Sequence, residues 1–260
     1  MTITRISKIC SISLLLMVAM TIQTVAQNRE YYQLKTYIFD SEEQVEITDK
    51  YLKDSYLPAL KKLKITNVGV FKPLPTDTVR KIVILIPFSS LDQFQSLDDE
   101  LSKNKSYLKS GESYLNASYD NPPYRRIESM ILRAFKDMPV MQPSGLNGSR
   151  QERVYELRSY ESATESYFKN KVDMFNAGGE VKLFDKLGFN AVFYAEVISG
   201  AKMPNLMYMT TFSDKESQEE HWKSFMSAPE WAVLKVQAKY QKNVSHIDKY
   251  FLYPTEYSDY

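Results

Sequence analysis

One cysteine occurs in 260 residues, and it is Cys10, inside an apolar run near the start of the chain. Past that run no thiol exists, which excludes a cysteine nucleophile, a thiolate-bound zinc and a disulfide framework. Histidine is nearly as scarce. His221 and His246 are the only two. Neither stands at a His-x-x-x-His or facial-triad spacing, and adjacent carboxylates such as Glu219 and Glu220 diverge on a helix, so no metal is expected. The chain also lacks a prevailing charge: 33 basic against 32 acidic residues leave +1, with no long like-charge run. That gives no reason to expect nucleic acid or an anionic surface as partner. Gly-x-Ser-x-Gly elbows, Walker loops and dinucleotide fingerprints are missing too. Gly178-Gly179 alone does not make a phosphate site, and no cofactor is expected.

What is present starts with a leader. Arg5 and Lys8 precede the run Ile9 to Ile22, and Thr24-Val25-Ala26 supply small residues, so residues 1–26 read as a secretory signal peptide cut after Ala26. The strongly apolar part, Leu14 to Met20, is short for spanning a bilayer, and no basic flank follows it. The mature chain is therefore expected to be secreted or periplasmic and not to span a membrane. Aromatics are abundant, with 19 Tyr and 13 Phe, which suits sheet structure and broad apolar contacts.

The mature part repeats itself. Tyr32-Gln33-Leu34-Lys35-Thr36-Tyr37 returns as Tyr155-Glu156-Leu157-Arg158-Ser159-Tyr160. Later features recur at nearly the same displacement: Leu63 with Leu187 before a second strand, and Phe88 with Phe212 closing a third. Helical stretches fall between. Ser41 with Gln44, Ser90 with Gln93 and Ser213 with Glu216 have capping-box spacing. Val45, Leu52, Tyr56, Leu60 and Leu63 form one apolar stripe, which Pro58 must kink or split; Gly178-Gly179 breaks its counterpart. Leu91, Phe94, Leu97 and Leu101 recur at helical intervals, as do Trp222, Phe225 and Met226, and read as packing faces. Trp222 and Trp231 read as core, and Pro229 as the first residue of the last helix.

Each half is thus β-α-β-β-α-β, the ferredoxin-like arrangement. The expected fold class is α+β: a unit over residues 30–136, a Pro/Gly/Ser-rich linker over 137–151 and a second unit over 152–260, packed as a barrel-like pseudo-dimer. Two such sheets face to face would cover one another, although further pairing into a homo-oligomer stays open.

The passages "YELRSY", "LGFNAVFYAEV", "YMTTFSDKESQEEHW" and "APEW" resemble the NIPSNAP domain of the dimeric α+β barrel superfamily. The resemblance covers Arg153 to about Tyr253, and Tyr31 to about Phe135 more weakly. It implies the paired barrel and little chemistry, since superfamily members include monooxygenases, isomerases, dehydratases and plain binding proteins. Where relatives commonly carry arginine in the helix after the third strand, this chain has His221 before Trp222.

Strand alternation puts Glu156, Arg158 and Tyr160 on one face, with Gln33, Lys35 and Tyr37 matching. If the leucines meet the helices, this polar set faces the space between the sheets. The site hypothesis has Arg158, Tyr160, Tyr208, Lys35 and Tyr37 binding a small molecule, Arg158 as anchor for an acidic group. The competing reading makes Glu156 and Arg158 a structural ion pair. Functionally this gives a secreted or periplasmic module that binds a small ligand or another protein. The alternative is a cofactor-free enzyme of monooxygenase, isomerase or lyase type, with Glu156 or His221 as acid or base.

Overall fold

The computed structural model describes residues 28–74, 79–147 and 149–260, and the leader expected over 1–26 lies outside them. Strand β1 (Tyr31–Ile38) leads into helix α1 (Glu42–Tyr51). The cap is the expected one: Ser41 Oγ accepts from the Gln44 N–H, and the Gln44 side chain accepts from the Asp40 N–H. Pro58 lacks an N–H and crowds the preceding turn. The chain accommodates it with a π-helical turn at Leu52–Tyr56, and α2 (Leu57–Lys62) restarts with the proline in its first turn. Strands β2 (Gly69–Pro73) and β3 (Lys81–Phe88) follow.

Beyond β3 the expected continuous helix is four short ones: α3 (Leu91–Gln95), α4 (Leu97–Ser102), α5 (Lys105–Ser110) and α6 (Glu112–Leu115). Ser96 bonds back to the Gln93 carbonyl, and the Asn104 side chain accepts from the Tyr107 N–H. Such local bonds compete with a continuous helical ladder. Leu97 and Leu101 are buried, but Leu91 is exposed, so the packing face is shorter than its periodicity implied. Strand β4 (Arg126–Ala134) completes the first half.

The second half runs β5 (Val154–Glu161), α7 (Glu165–Phe175), α8 (Glu180–Lys186), β6 (Ala191–Ser199), β7 (Asn205–Phe212), α9 (Lys215–Ser227), α10 (Pro229–Leu234) and β8 (His246–Pro254). The cap of α9 falls one residue later than Ser213. Asp214 accepts from the Ser217 N–H at 2.7 Å while Ser213 donates to Asp214. A carboxylate at the positive end of a helix dipole outdoes a hydroxyl. Met226, expected to pack, is exposed, whereas Phe225 is buried.

All eight strands close into one antiparallel barrel in the order β1-β3-β2-β8-β5-β7-β6-β4. The first half supplies β4-β1-β3-β2 and the second β8-β5-β7-β6. They meet at two seams, β2 with β8 and β4 with β6, the latter bulged between Ile131 and Leu132. A single chain therefore closes its own barrel.

The faces are assigned opposite to the expectation. Leu34, Tyr155 and Leu157 point into the lumen, with Phe71, Val83 and Met209, while Glu156, Arg158 and Tyr160 face the helices. The physical reason is solvation. Charged groups inside an apolar lumen would find no partners, whereas the helix side supplies an indole and an amide to meet them.

Candidate functional site

The polar face of β5 is the start of the site, because i and i+2 residues of a strand share a side. Glu156 and Arg158 are both buried there. Arg158 Nε and Nη2 reach Glu156 Oε1 at 2.7 and 2.6 Å. Helix α9 then satisfies the other carboxylate oxygen: Gln218 Nε2 donates to Oε2 at 2.8 Å and Trp222 Nε1 at 2.6 Å. Gln218 and Trp222 are one turn apart, so one helix face delivers both donors.

Arg158 also sits over the Trp222 ring, with its guanidinium carbon 3.5 Å from the ring centroid. A desolvated cation on an indole face gains from the ring quadrupole. Arg158 Nη1 donates to the Tyr160 hydroxyl at 3.1 Å, and Tyr160 and Tyr208 hydroxyls are 2.8 Å apart. Burial pushes the Tyr208 hydroxyl well above the usual phenol range, so it stays neutral. Among the described residues Glu156 is the ion-pair partner of Arg158.

A second buried pair lies beside the first. Lys171 on α7 bonds to Glu180 at the start of α8 at 2.8 Å, both nearly inaccessible. Between these pairs opens a cleft of about 760 Å³ walled by Tyr160, Trp222, Phe225, Trp231 and Phe251. Lys215, Lys235 and Lys249 fringe it. Lys215 pairs with Glu219 at 3.4 Å, while Lys235 and Lys249 have no ion pair among the described residues. Trp231 belongs to this wall, and its indole N–H is buried and without an acceptor among the described residues.

The expected site residues divide. Glu156, Arg158 and Tyr160 line the cleft; Tyr208 lies behind Tyr160, fully buried. Lys35 and Tyr37 occupy the matching face of β1, but Tyr37 is packed into a core with Tyr51, Tyr56 and Tyr107. Lys35 Nζ sits 5.2 Å from the Tyr37 ring centroid and 5.6 Å from that of Tyr56, with no ion pair among the described residues. His221 is on the other flank of α9, its Nδ1 2.6 Å from the Ser217 carbonyl and its ring against Phe189 and Phe212. It does not line the cleft. Trp222 and Trp231, read as core, do pack against it, on Phe184, Phe189 and Phe225, and being half-buried they also form part of the cleft wall.

Gln218, Lys171 and Glu180 were not singled out by sequence reasoning. Lys171 did carry a signal: it interrupts the apolar series Phe168, Val172, Phe175 on one helix face. Glu161, His246 and Asp248 also come together, but Lys202 already sits 2.6 Å from Asp248 and 3.8 Å from Glu161. That ammonium offsets one of the two carboxylate charges. No helix of the described residues is long and apolar enough to cross a membrane.

The NIPSNAP family profile matches residues 155–259, from the strand carrying Glu156 and Arg158 to the segment after β8. The second half of the chain is a NIPSNAP domain. A NIPSNAP-like domain protein from Burkholderia xenovorans is similar at 18% identity over 42% of this chain and 90% of that one, with a TM-score of 0.37. Two solved structures parallel nearly the whole barrel. One, from Fusobacterium nucleatum subsp. nucleatum ATCC 25586 and provisionally named a monooxygenase, shows 8% identity, 87% and 92% coverage and a TM-score of 0.56. The other, from Lactobacillus acidophilus NCFM and named likewise, shows 9% identity, 87% and 94% coverage and a TM-score of 0.57. At such identities the likeness shows the fold alone. No curated protein matches the chain. The NIPSNAP domain therefore contributes the β5 network, α9 and the entire aromatic wall of the cleft.

Proposed function

We propose that the chain is an exported small-molecule-binding module, built from two ferredoxin-like units in tandem, whose site is the cleft of the NIPSNAP domain. The ligand is a small aromatic acid. The carrying observation is the wall of aromatic rings with two lysines at its edge, Lys235 and Lys249, that have no ion pair among the described residues. Rings accept a flat apolar body, and Lys235 and Lys249 attract negative charge. The volume, about 760 Å³, lies in the range of small-ligand sites.

The barrel-superfamily alternative, a cofactor-free enzyme of monooxygenase, isomerase or lyase type, has less behind it. Glu156 already accepts two donors on each oxygen, which fills its lone pairs. A carboxylate so engaged is a poor general base.

Calorimetry and native mass spectrometry with 2-naphthoate test the reading. Binding at one equivalent is expected, weakened by about fivefold to tenfold in Trp231→Ala, which removes one ring of the wall. Lys249→Glu should weaken it further and flatten its salt dependence. Binding untouched by either folded variant would sink the cleft as the site. The same mass measurement on exported protein should give a chain starting at Gln27; an intact leader would argue against export by cleavage.

A further inference from the structure

The lumen is packed very differently at its two ends. At one end aromatic rings fill it: Phe71 and Tyr155 lie 4.9 Å apart between centroids, Tyr32 and Phe193 5.4 Å, and Tyr260 closes over Phe71 at 6.0 Å. Toward the other end, where β1 finishes and β7 and β8 begin, the lumen holds a cavity of about 560 Å³. Leu34, Ile38, Val83, Leu157, Met207 and Leu252 line it. Protein interiors are close-packed, so an apolar space this large leading to the barrel mouth is shaped for an occupant rather than left by poor filling.

Two features set the chemistry of that occupant. First, the walls are mainly aliphatic, and an eight-stranded barrel is only wide enough for one small ligand, which favours a single extended chain along the axis. Second, the wall carries a neutral polar anchor. Asn205 and Ser159 are both buried and line the cavity. The Asn205 amide donates to Ser159 Oγ at 2.9 Å. Among the described residues its side chain has no partner but Ser159. An amide has two donors and two acceptor positions, so capacity remains for a ligand oxygen. The charged residues lining the mouth sum to zero: Lys202 is held 2.6 Å from Asp248, and Lys81 and Glu128 both line it. A charged head would give up hydration here with no net attraction in return.

We propose that the barrel mouth is a second binding site, for one medium-length aliphatic chain with an uncharged oxygen head. The tail lies between Leu34, Val83, Leu157 and Met207, and the head bonds to Asn205 and Ser159. This site is separate from the cleft, on the opposite face of the sheet.

Calorimetry with 1-decanol, decanoate and decylamine on the purified chain tests it. The expected result is one equivalent of 1-decanol, with the two charged analogues about tenfold weaker. Asn205→Leu keeps the lumen apolar and removes the anchor, so 1-decanol should bind about fivefold to tenfold more weakly. Thr36→Phe projects a ring into the cavity and should abolish binding; Val83→Phe replaces it if thermal melting shows that Thr36→Phe does not fold. No 1-decanol binding, equal affinity for all three heads, or affinity unchanged in the folded variants would each overturn the proposal. Native mass spectrometry with 2-naphthoate present should show both ligands on one chain, and mutual displacement would also overturn it. Failure of 2-naphthoate alone to bind counts against the cleft and leaves the barrel result standing.

Discussion

Lys35 and Arg158 occupy matching positions on the two opening strands, yet their surroundings set them apart. Arg158 has a carboxylate, an indole face and a phenol within reach. Lys35 has tyrosine rings and no ion pair among the described residues, and burial lowers its pKa from the ordinary 10.5, with Asp98 partly opposing. Its charge is therefore a cost to the fold. In the window between the lowered folded pKa and 10.5 the unfolded chain binds more protons, so wild-type stability rises with pH there. Below that window both states are protonated and the cost is constant. Lys35→Met should stabilise the protein at pH 7 by on the order of 1 kcal/mol, and the advantage should shrink as pH approaches 10.5. Urea melts at pH 7 and pH 10 measure this. A gap that does not change with pH would assign the effect to packing instead.

At the level of elements, the break between α7 and α8 positions one member of the Lys171–Glu180 pair on each side. Gly178 makes the break. Its N–H donates to the Asp173 carbonyl at 2.9 Å, and a β-carbon there would lie 2.5 Å from the Met174 carbonyl oxygen. No side chain fits without displacing backbone. Gly178→Ala should cost about 2 kcal/mol, the range in which backbone conflicts fall, read as a lower urea midpoint with an unchanged slope. Gly179 differs: its φ of +86° favours glycine, but nothing lies within 4 Å of an added β-carbon. Gly179→Asn, which tolerates the left-handed region, should lose clearly less. Equal losses at both positions would mean that flexibility, not the Met174 contact, matters.

The same elements mark what the sequence made legible. The doubled Tyr-polar-Leu-basic-hydroxyl-Tyr phrase identified both opening strands, and Pro58 and Gly178-Gly179 located both helix breaks. Alternation says which residues share a face, but not which face is the lumen, and here both faces are covered. Hence the polar set of β5 was assigned to the wrong side. Gln218 and Glu180 look like ordinary surface residues in sequence. Only the approach of α9 and α8 to the sheet turns them into buried partners.

For the whole molecule, the seam between β2 and β8 is short, pairing only Phe71 to Pro73 with Leu252 to Pro254. The residues after β8 extend it across the first half. Thr255 N–H donates to the Val70 carbonyl and Asp259 N–H to that of Val68, while Val70 N–H donates to Ser258 Oγ. Lys61 pairs with Asp259 at 2.7 Å, Arg150 gathers the carbonyls of Thr255, Ser258 and Tyr260, and the Tyr260 ring is buried in the lumen. Removing residues 255–260 forfeits the burial of Tyr260, the packing of Tyr257 on the first core and several hydrogen bonds, a loss of about 4 kcal/mol or more. It also unplugs the filled end of the barrel. The truncated chain should melt at lower urea and bind an apolar dye such as anilinonaphthalene sulfonate, since Phe71 and Tyr155 lose their cover. Because the seam at β4 and β6 is untouched, the halves stay joined while the barrel gapes on one side. Hydrogen exchange should then accelerate along β2 and β8 and remain slow at the pairing of β5 with β7. Uniform acceleration over all eight strands would show instead that the barrel unfolds as one unit without its latch.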